Sequence, residues 1–500
     1  MSSTVQTGRI KTKIPARLDR LPWSRWHWMV IIGLGTVWIL DGLEVTIVSS
    51  ISGVIGTKGS GVAISTASVS GLAASLYVAG ACAGALFFGQ LTDRFGRKKL
   101  FMITLGLYLL ATALTAVSFT ATWFYAFRFL TGFGIGGEYS AINSAIDELI
   151  PAKHRGRVDI GINGSYWAGA GGGALLAVLA LNNTATNVGW RLCFGLGAVL
   201  GVAVLIVRRS IPESPRWLFI HGREEEAERI VADIERKVTE QTGQQLPEPE
   251  GEMTVRQRRT IPLSLTIRSA FTLYPRRSFL GLALFVGQAF LYNSILFGLG
   301  NLLSMYFKIS TSNVPYYIAI FAVGNLFGPL LLGRLFDTVG RKPMIAGTYI
   351  LSGALLVLTA ILFRDKVLSA AGLIALLTGL FFFASAGVSG AYLTVSEVFP
   401  METRALCIAV FYAIGTGIGG ITGPLVFSKL VSSGSYSQTE LAFMIGAVMM
   451  IIGGIVELIF GVKAEQQTLE DIAKPLTAEE APSDGQSPRR GLTAAGALTT

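Results

Sequence analysis

Cysteine and charge are both scarce in this chain. Its 500 residues hold three cysteines, Cys82, Cys193 and Cys407, each set in an apolar segment and none at metal-ligand spacing. Neither a disulfide framework nor a metal site is expected. Charged residues make up only 14%, well below the share in a soluble domain of this length. No GxxxxGK[ST] loop is present to cradle the phosphates of ATP, and the polar segments are too short and irregular to hold a catalytic core. The chain therefore reads as neither an enzyme nor a cofactor carrier, and any work it does must draw on a gradient.

What is abundant is apolar: 51% of the residues are hydrophobic and the mean hydropathy is +0.56. Long runs recur, among them Met29–Leu40, Leu100–Phe119, Leu192–Val207, Met344–Phe363 and Leu368–Phe383. Alone or with its flanks, each can cross a hydrocarbon core of about 30 Å. The net charge of +10 is not gathered on one face, so a nucleic-acid partner is not indicated. With the N-terminus placed inside, roughly 34 of the 41 Lys and Arg residues fall on the cytoplasmic side, roughly 6 outside and about 1 within a span, the bias that fixes orientation. The basic lead Arg9, Lys11, Lys13, Arg17, Arg20, Arg25 precedes a first apolar segment that carries Asp41 and Glu44 and lacks a small-residue cleavage site. It reads as an uncleaved helix rather than a signal peptide.

Grouping the runs predicts an all-α multi-pass membrane protein of twelve helices in two six-helix bundles. The expected divisions are a cytoplasmic N-terminal segment (1–27), a first bundle (28–207), a cytoplasmic central loop (208–277), a second bundle (278–462) and a flexible cytoplasmic tail (463–500). Within the loop, Arg223–Lys237 has Ala227, Ile230, Val231 and Ile234 at helical spacing among charges, which predicts a surface helix. Gln241–Gly251 reads as disordered, and from about Pro475 there is little to bury.

Internal repetition links the halves. Gly89-Gln-Leu-Thr-Asp93-Arg-Phe-Gly96-Arg97-Lys98 returns as Gly333-Arg-Leu-Phe-Asp337-Thr-Val-Gly340-Arg341-Lys342, an offset of 337 − 93 = 244. Glu148-Leu-Ile-Pro151 through Arg155 returns as Glu397-Val-Phe-Pro400 through Arg404, an offset of 397 − 148 = 249. Two long repeats in nearly one register show that the second half of the chain repeats the first. In each copy of the first motif, glycine suits a tight turn and close helix approach, while the aspartate can cap or pair across helix ends.

The Gly-x-x-x-Asp-x-x-Gly-Arg-Lys pattern resembles the signature of the major facilitator superfamily, over nearly the whole chain. Arg128-Phe-Leu-Thr-Gly132-Phe-Gly134-Ile-Gly136-Gly137-Glu138, Pro212-Glu213-Ser214-Pro215-Arg216-Trp217-Leu218 and the Glu148 and Glu397 blocks are similar to sugar-porter-related branches. Asp41-Gly42-Leu43-Glu44 is similar to the paired acids of aromatic-acid and metabolite proton symporters. The seventh span departs from the sugar porters, reading Gln288-Ala-Phe-Leu-Tyr292-Asn293 where they usually have a Gln pair followed by Gly and Asn. The resemblance implies a rocker-switch fold with a cytoplasmic lock of Asp93, Arg97, Glu148 and Arg155 in the first half and Asp337, Arg341, Glu397 and Arg404 in the second. Partly exposed pairs of about 1 kcal/mol would suit a lock that must open in each cycle.

Charges inside the spans point to a coupling site. Asp41 and Glu44 share a helix face, and an unpaired charge at mid-bilayer costs roughly 2.5–3.5 kcal/mol, so both should face a polar interior. A span that starts near Trp28 puts them about 20–24 Å from the cytoplasmic side, and Arg128 on the fourth span reaches a matching depth, so a guanidinium–carboxylate pair is expected. Either acid can be the proton carrier. Glu138 is a second intramembrane acid. Asn163, Tyr166 and Trp167 on the fifth span, Gln288, Tyr292 and Asn293 on the seventh, and Tyr392 on the tenth are the other expected substrate-facing groups, since polar groups in lipid need partners. The expectation that follows is a monomeric proton-coupled symporter in the cell membrane for a small organic solute, acids slightly ahead of sugars, with solute, protons and lipid as its partners. An uncoupled facilitator or exchanger and a transporter-like sensor are the alternatives.

Overall fold

The apolar runs fold as helices whose lengths match a bilayer. The computed structural model describes residues 9–62, 64–209, 212–249, 251–256, 263–399, 404–465, 467 and 472; the side chains of Asp93 and Arg404, and the expected tail from 473 onward, lie outside the described residues. The membrane helices are α1 (Arg25–Ile55), α2 (Thr66–Ser68, a π turn Val69–Ala73, and Ala74–Phe95), α3 (Arg97–Ala116), α4 (Ala121–Leu149), α5 (Ala152–Gly164 and Tyr166–Asn183) and α6 (Thr186–Arg208). The second six are α7 (Pro275–Phe307), α8 (Val314–Thr338), α9 (Arg341–Arg364), α10 (Ala370–Glu397), α11 (Arg404–Thr416, a π turn Gly417–Ile421, and Thr422–Ser432) and α12 (Tyr436–Phe460).

Eleven helices among the described residues are long and apolar enough to cross a membrane. The other long one, α4, carries Arg128, Glu138 and Glu148, all buried, and charged residues inside a span are tolerated where the bundle interior supplies partners. On the outside, Leu179, Val199, Ile320 and Leu331 are more than 60% exposed, a wasteful arrangement in water and the expected one against lipid tails. Inside, small residues let backbones meet. Side chains at Gly42 and Gly169 would overlap the carbonyls of Tyr166 and Ile39, so α1 and α5 touch through their glycines.

The repeated motif explains the turns on the face that carries the central loop, called here the basic face. Gly96 and Gly340 adopt φ of +91° and +115°, values that cost an L side chain about 1 kcal/mol or more. Gly89 lies against Ala409 on α11, and Gly333 against Ile160 on α5, so the first glycine of each copy packs on the opposite half. The halves thus meet along two seams, α2 with α11 and α5 with α8. In the second seam Gly164 sits under the ring of Pro329. Proline at 329 takes away the N–H that would bond to the Asn325 carbonyl, and Ser385 Oγ donates to that carbonyl at 3.2 Å instead.

The loop and N-terminal segment are more ordered than the sequence predicts. The surface helix spans Glu224–Thr242 and buries Ala227, Val231, Ile234 and Val238. Gln241 to Gly251, expected to be disordered, is engaged: Gln241 Oε1 accepts from Trp26 N at 3.0 Å and the Pro247 carbonyl accepts from Arg20. Arg9–Thr12 then pairs antiparallel with Met253–Arg256, and a short helix Ile14–Asp19 packs Ile14 and Leu18 away from solvent. Composition alone missed this because the order comes from partners more than 200 residues away: Arg17 reaches Glu228 at 2.5 Å and Glu235 at 2.6 Å, and Arg20 reaches Glu235 at 2.6 Å.

Candidate functional site

A cavity of about 100 Å³ lies between the halves. Each half contributes aromatic walls: Trp38, Tyr77, Tyr139, Tyr166 and Trp167 from the first, Tyr292, Tyr392 and Tyr412 from the second. Trp38 stacks on Tyr139 with centroids 4.9 Å apart and meets Tyr392 edge-on at 5.5 Å, while Tyr139 approaches Tyr412 at 4.8 Å. The polar lining consists of Asp41, Asn163, Gln288, Asn293, Ser385, Ser389 and Thr416 together with the tyrosine hydroxyls. The hydroxyl of Tyr292 has no hydrogen-bond partner among the described residues. Both sides of the cavity are drawn together: Ser70 meets Ser428 at 3.2 Å on the face opposite the loop, and charged pairs join the halves on the basic face.

Seven of the eight residues expected to face a substrate line this cavity: Asn163, Tyr166, Trp167, Gln288, Tyr292, Asn293 and Tyr392. Glu138 does not. It is fully buried and accepts from Thr104 Oγ1 at 3.4 Å, between α3 and α4, because its turn of α4 faces α3 while the next residue, Tyr139, faces inward. Among the aromatic walls, sequence reasoning missed Trp38, Tyr77, Tyr139 and Tyr412. Tyr139 could have been found by noting that it follows the glycine-rich face of α4 by one step, the offset that turns a helix about 100°.

The two acids of α1 separate. Arg128 pairs with Glu44, both with 0% exposed side chain, and its guanidinium lies 4.5 Å over the Tyr77 ring. Neither Arg128 nor Glu44 lines the cavity. Asp41 does, and instead of the arginine it accepts hydrogen bonds from Tyr77 and, at 2.6 Å, from Tyr139. One helix face therefore presents one acid to the cavity and one to a sealed ion pair.

On the basic face the motif charges form a network across the halves. Arg97 pairs with Glu148 at 2.6 Å within the first half, and Glu148 also accepts from Ser214 Oγ. Arg155 reaches Glu397 of the other half at 3.7 Å, and Glu397 pairs with Arg341. Asp337 lies 3.9 Å from Arg341 and accepts from the Arg157 backbone N–H at 2.9 Å, against Gly156, where a Cβ would overlap the carboxylate. These pairs are not partly exposed as expected: Arg155 and Glu397 side chains show 1% and 0%. The reason is a cover that the sequence did not reveal. Glu213 caps α3 through the N–H groups of Arg97 and Lys98 at 3.0 and 3.1 Å. Asp19 of the N-terminal segment touches Arg155 at 3.4 Å and Arg216 at 3.5 Å.

A twelve-helix fold in two related halves, with a polar cavity between them and charged residues buried inside, defines a multi-pass membrane transporter of the major facilitator fold. Residues 26–475 match the family described as "Sugar (and other) transporter", and the chain belongs to that family. It is similar to the niacin transporter NiaP of Acinetobacter baylyi, 29% identical over 91% of this chain and 99% of that one. It also resembles the putative metabolite transport protein YdjK of Escherichia coli, 26% identical over 92% and 96%, and the organic cation/carnitine transporter 7 of Arabidopsis thaliana, 24% identical over 93% and 97%. Among solved structures it shares the fold of a proton:xylose symporter, XylE, with a TM-score of 0.72 and 20% identity over 89% of this chain and 98% of that one. A partially occluded inward-open form of XylE from E. coli gives 0.67, over 88% and 99%.

Proposed function

We propose that this protein is a proton-coupled symporter that moves a small organic solute by alternating access. The observation that carries the reading is the arrangement of Asp41, Glu44 and Arg128: two acids and one base leave a net charge of about −1 in a desolvated site, which one proton neutralises. While Glu44 is ionised it holds Arg128; a proton on either acid changes which carboxylate the guanidinium attracts and so links protonation to the packing of α1 against α4. The solute is bound in the cavity between Asn163 and Trp167 on one side and Gln288, Tyr292 and Asn293 on the other. The basic face lies in the cytoplasm with both termini, as the positive charge of its loops favours, and its buried charge network is the lock that opens to release solute inward. The protein works as a monomer in the plasma membrane. The curated relatives, named for niacin, a metabolite and organic cations or carnitine, support a small organic solute.

The test is uptake into proteoliposomes of a panel of labelled sugars, carboxylates, amides and amines, with and without an imposed pH gradient. Accumulation above equilibrium only with the gradient is the expected result. Equal uptake without it makes the protein a facilitator, and binding with no uptake makes it a sensor.

A further inference from the structure

The central loop changes character along its length. From Glu213 to Glu252 it holds eleven acidic residues, which neutralise bases of their own segment or of the N-terminus, as Glu235 does for Arg17 and Arg20. From Arg256 to Arg277 the sequence then holds six arginines and no acidic residue, leading straight into α7. We propose that the short helix Leu263–Leu273, with the start of α7, is a binding site for anionic phospholipid in the leaflet at the basic face.

The helix presents both parts that such a ligand needs, and the apolar part comes first. Ile267 and Phe271, one turn apart, stay 38% and 37% exposed, and Leu273 49%, a patch that water would disfavour. It adjoins surface that faces lipid: Phe279, six residues after Leu273, is 53% exposed and packs on Phe460 of α12 at 5.8 Å, beside Ile459, which is 62% exposed. The helix is fixed in this place. Its Ala270 carbonyl accepts from Ser278 Oγ of α7 at 2.7 Å, and the Phe271 ring meets Phe411 of α11 at 5.8 Å. An amphipathic segment held at the end of a span, with apolar residues that continue the lipid-facing surface, lies at the level of the headgroups.

Charge selects the lipid. Arg277 is engaged within the protein, where its Nη1 donates to the Val398 carbonyl at 2.7 Å. Arg268 and Arg276 are exposed and have no acidic partner among the described residues. Side chains of this length lay their stems on apolar surface and extend the guanidinium to the headgroups, where a phosphate accepts parallel hydrogen bonds from the fork. Clusters of about four to eight basic residues beside a span attract the anionic lipids of a cytoplasmic leaflet, whereas the cation of a zwitterionic headgroup offsets that attraction. A soluble anion shares the phosphate chemistry but gains nothing from Ile267, Phe271 and Leu273, so the occupant is the lipid.

The test uses the full-length protein in detergent with an environment-sensitive fluorophore on Thr272→Cys, an exposed position of the helix; the native cysteines are buried. Dioctanoyl phosphatidylglycerol, dioctanoyl phosphatidylcholine, glycerol 1-phosphate and inorganic phosphate are titrated separately. Phosphatidylglycerol is expected to reach half-saturation at a concentration at least about tenfold below phosphatidylcholine, and the two soluble phosphates to give no saturable change. Arg268→Gln combined with Arg276→Gln is expected to reduce the preference between the lipids to under about threefold. An equal response to both lipids overturns the proposal, as does a soluble phosphate acting as well as phosphatidylglycerol or a full preference in the double variant. If that variant does not fold, high salt takes its place: the wild-type preference should shrink as salt screens the arginines, and a preference that salt leaves unchanged overturns the proposal. None of these readouts depends on transport, so their failure leaves the symport reading as it stands.

Discussion

Arg128 and Glu44 face each other with no exposed side-chain surface, while Asp41, one helical turn from Glu44, looks into the cavity. The two acids consequently respond differently to neutralisation. Glu44→Gln leaves a buried guanidinium uncompensated, a loss of about 3–5 kcal/mol, and its melting temperature in detergent should fall by several degrees. Asp41→Asn removes a charge that faces polar groups and should melt near wild type. Both should lose gradient-driven accumulation while retaining part of their counterflow. Restored stability without restored coupling in Glu44→Gln combined with Arg128→Met would separate the two roles, and unchanged accumulation in both single variants would reject the coupling site.

Gln288 lines the cavity on α7 and is available to the solute. Gln288→Ala should weaken solute affinity roughly fivefold, the effect of one lost hydrogen bond of about 1 kcal/mol, with expression unchanged. Wild-type affinity would remove it from the site.

Gly156 lies where a side chain would overlap the Asp337 carboxylate. Gly156→Val should keep the basic face from shutting, so a cysteine introduced at Asn163 should react at least several-fold faster with reagent supplied from that face. Labelling at the wild-type rate would mean that the contact between Asp337 and α5 does not hold the halves together.

The N-terminal segment should be loosened by acid. Burial raises the Glu235 carboxyl, but hydrogen bonds from Arg17 and Arg20 outweigh it and hold the group below its ordinary value of 4.5. A depressed carboxyl stabilises the folded form fully above its unfolded value, and that stabilisation disappears as pH falls through the lower folded value. Proteolysis near residue 20 should therefore be constant from neutral pH to about 5 and accelerate below about 4. Glu235→Gln should show the fast rate already at neutral pH; no difference between the two proteins would mean that the clasp contributes nothing to holding the segment.

Much of this was legible in the sequence, and the parts that were not have a common cause. The spans announced themselves because hydrocarbon demands some twenty apolar residues each, and the basic-face turns because Gly96 and Gly340 recur in one pattern. The depth argument brought the pair of acids to the level of Arg128, yet it could not say which of them meets the arginine, since depth along a helix says nothing about which neighbouring helix each side chain faces. Rotation is also what removed Glu138 from the cavity and put Tyr139 in it. The burial of the charge network was hidden for a different reason: Asp19, Glu213 and Arg216 cover it from segments whose own composition is that of ordinary polar loops.

Where the two halves abut, the backbone is least regular. α2 and α11 each hold a π turn, α5 is interrupted between Gly164 and Tyr166, and α8 carries Pro329 inside its length. These four helices carry their irregular turns at the line of division, so a tilt of one half would be taken up there by local rewinding rather than by bending the uninterrupted helices.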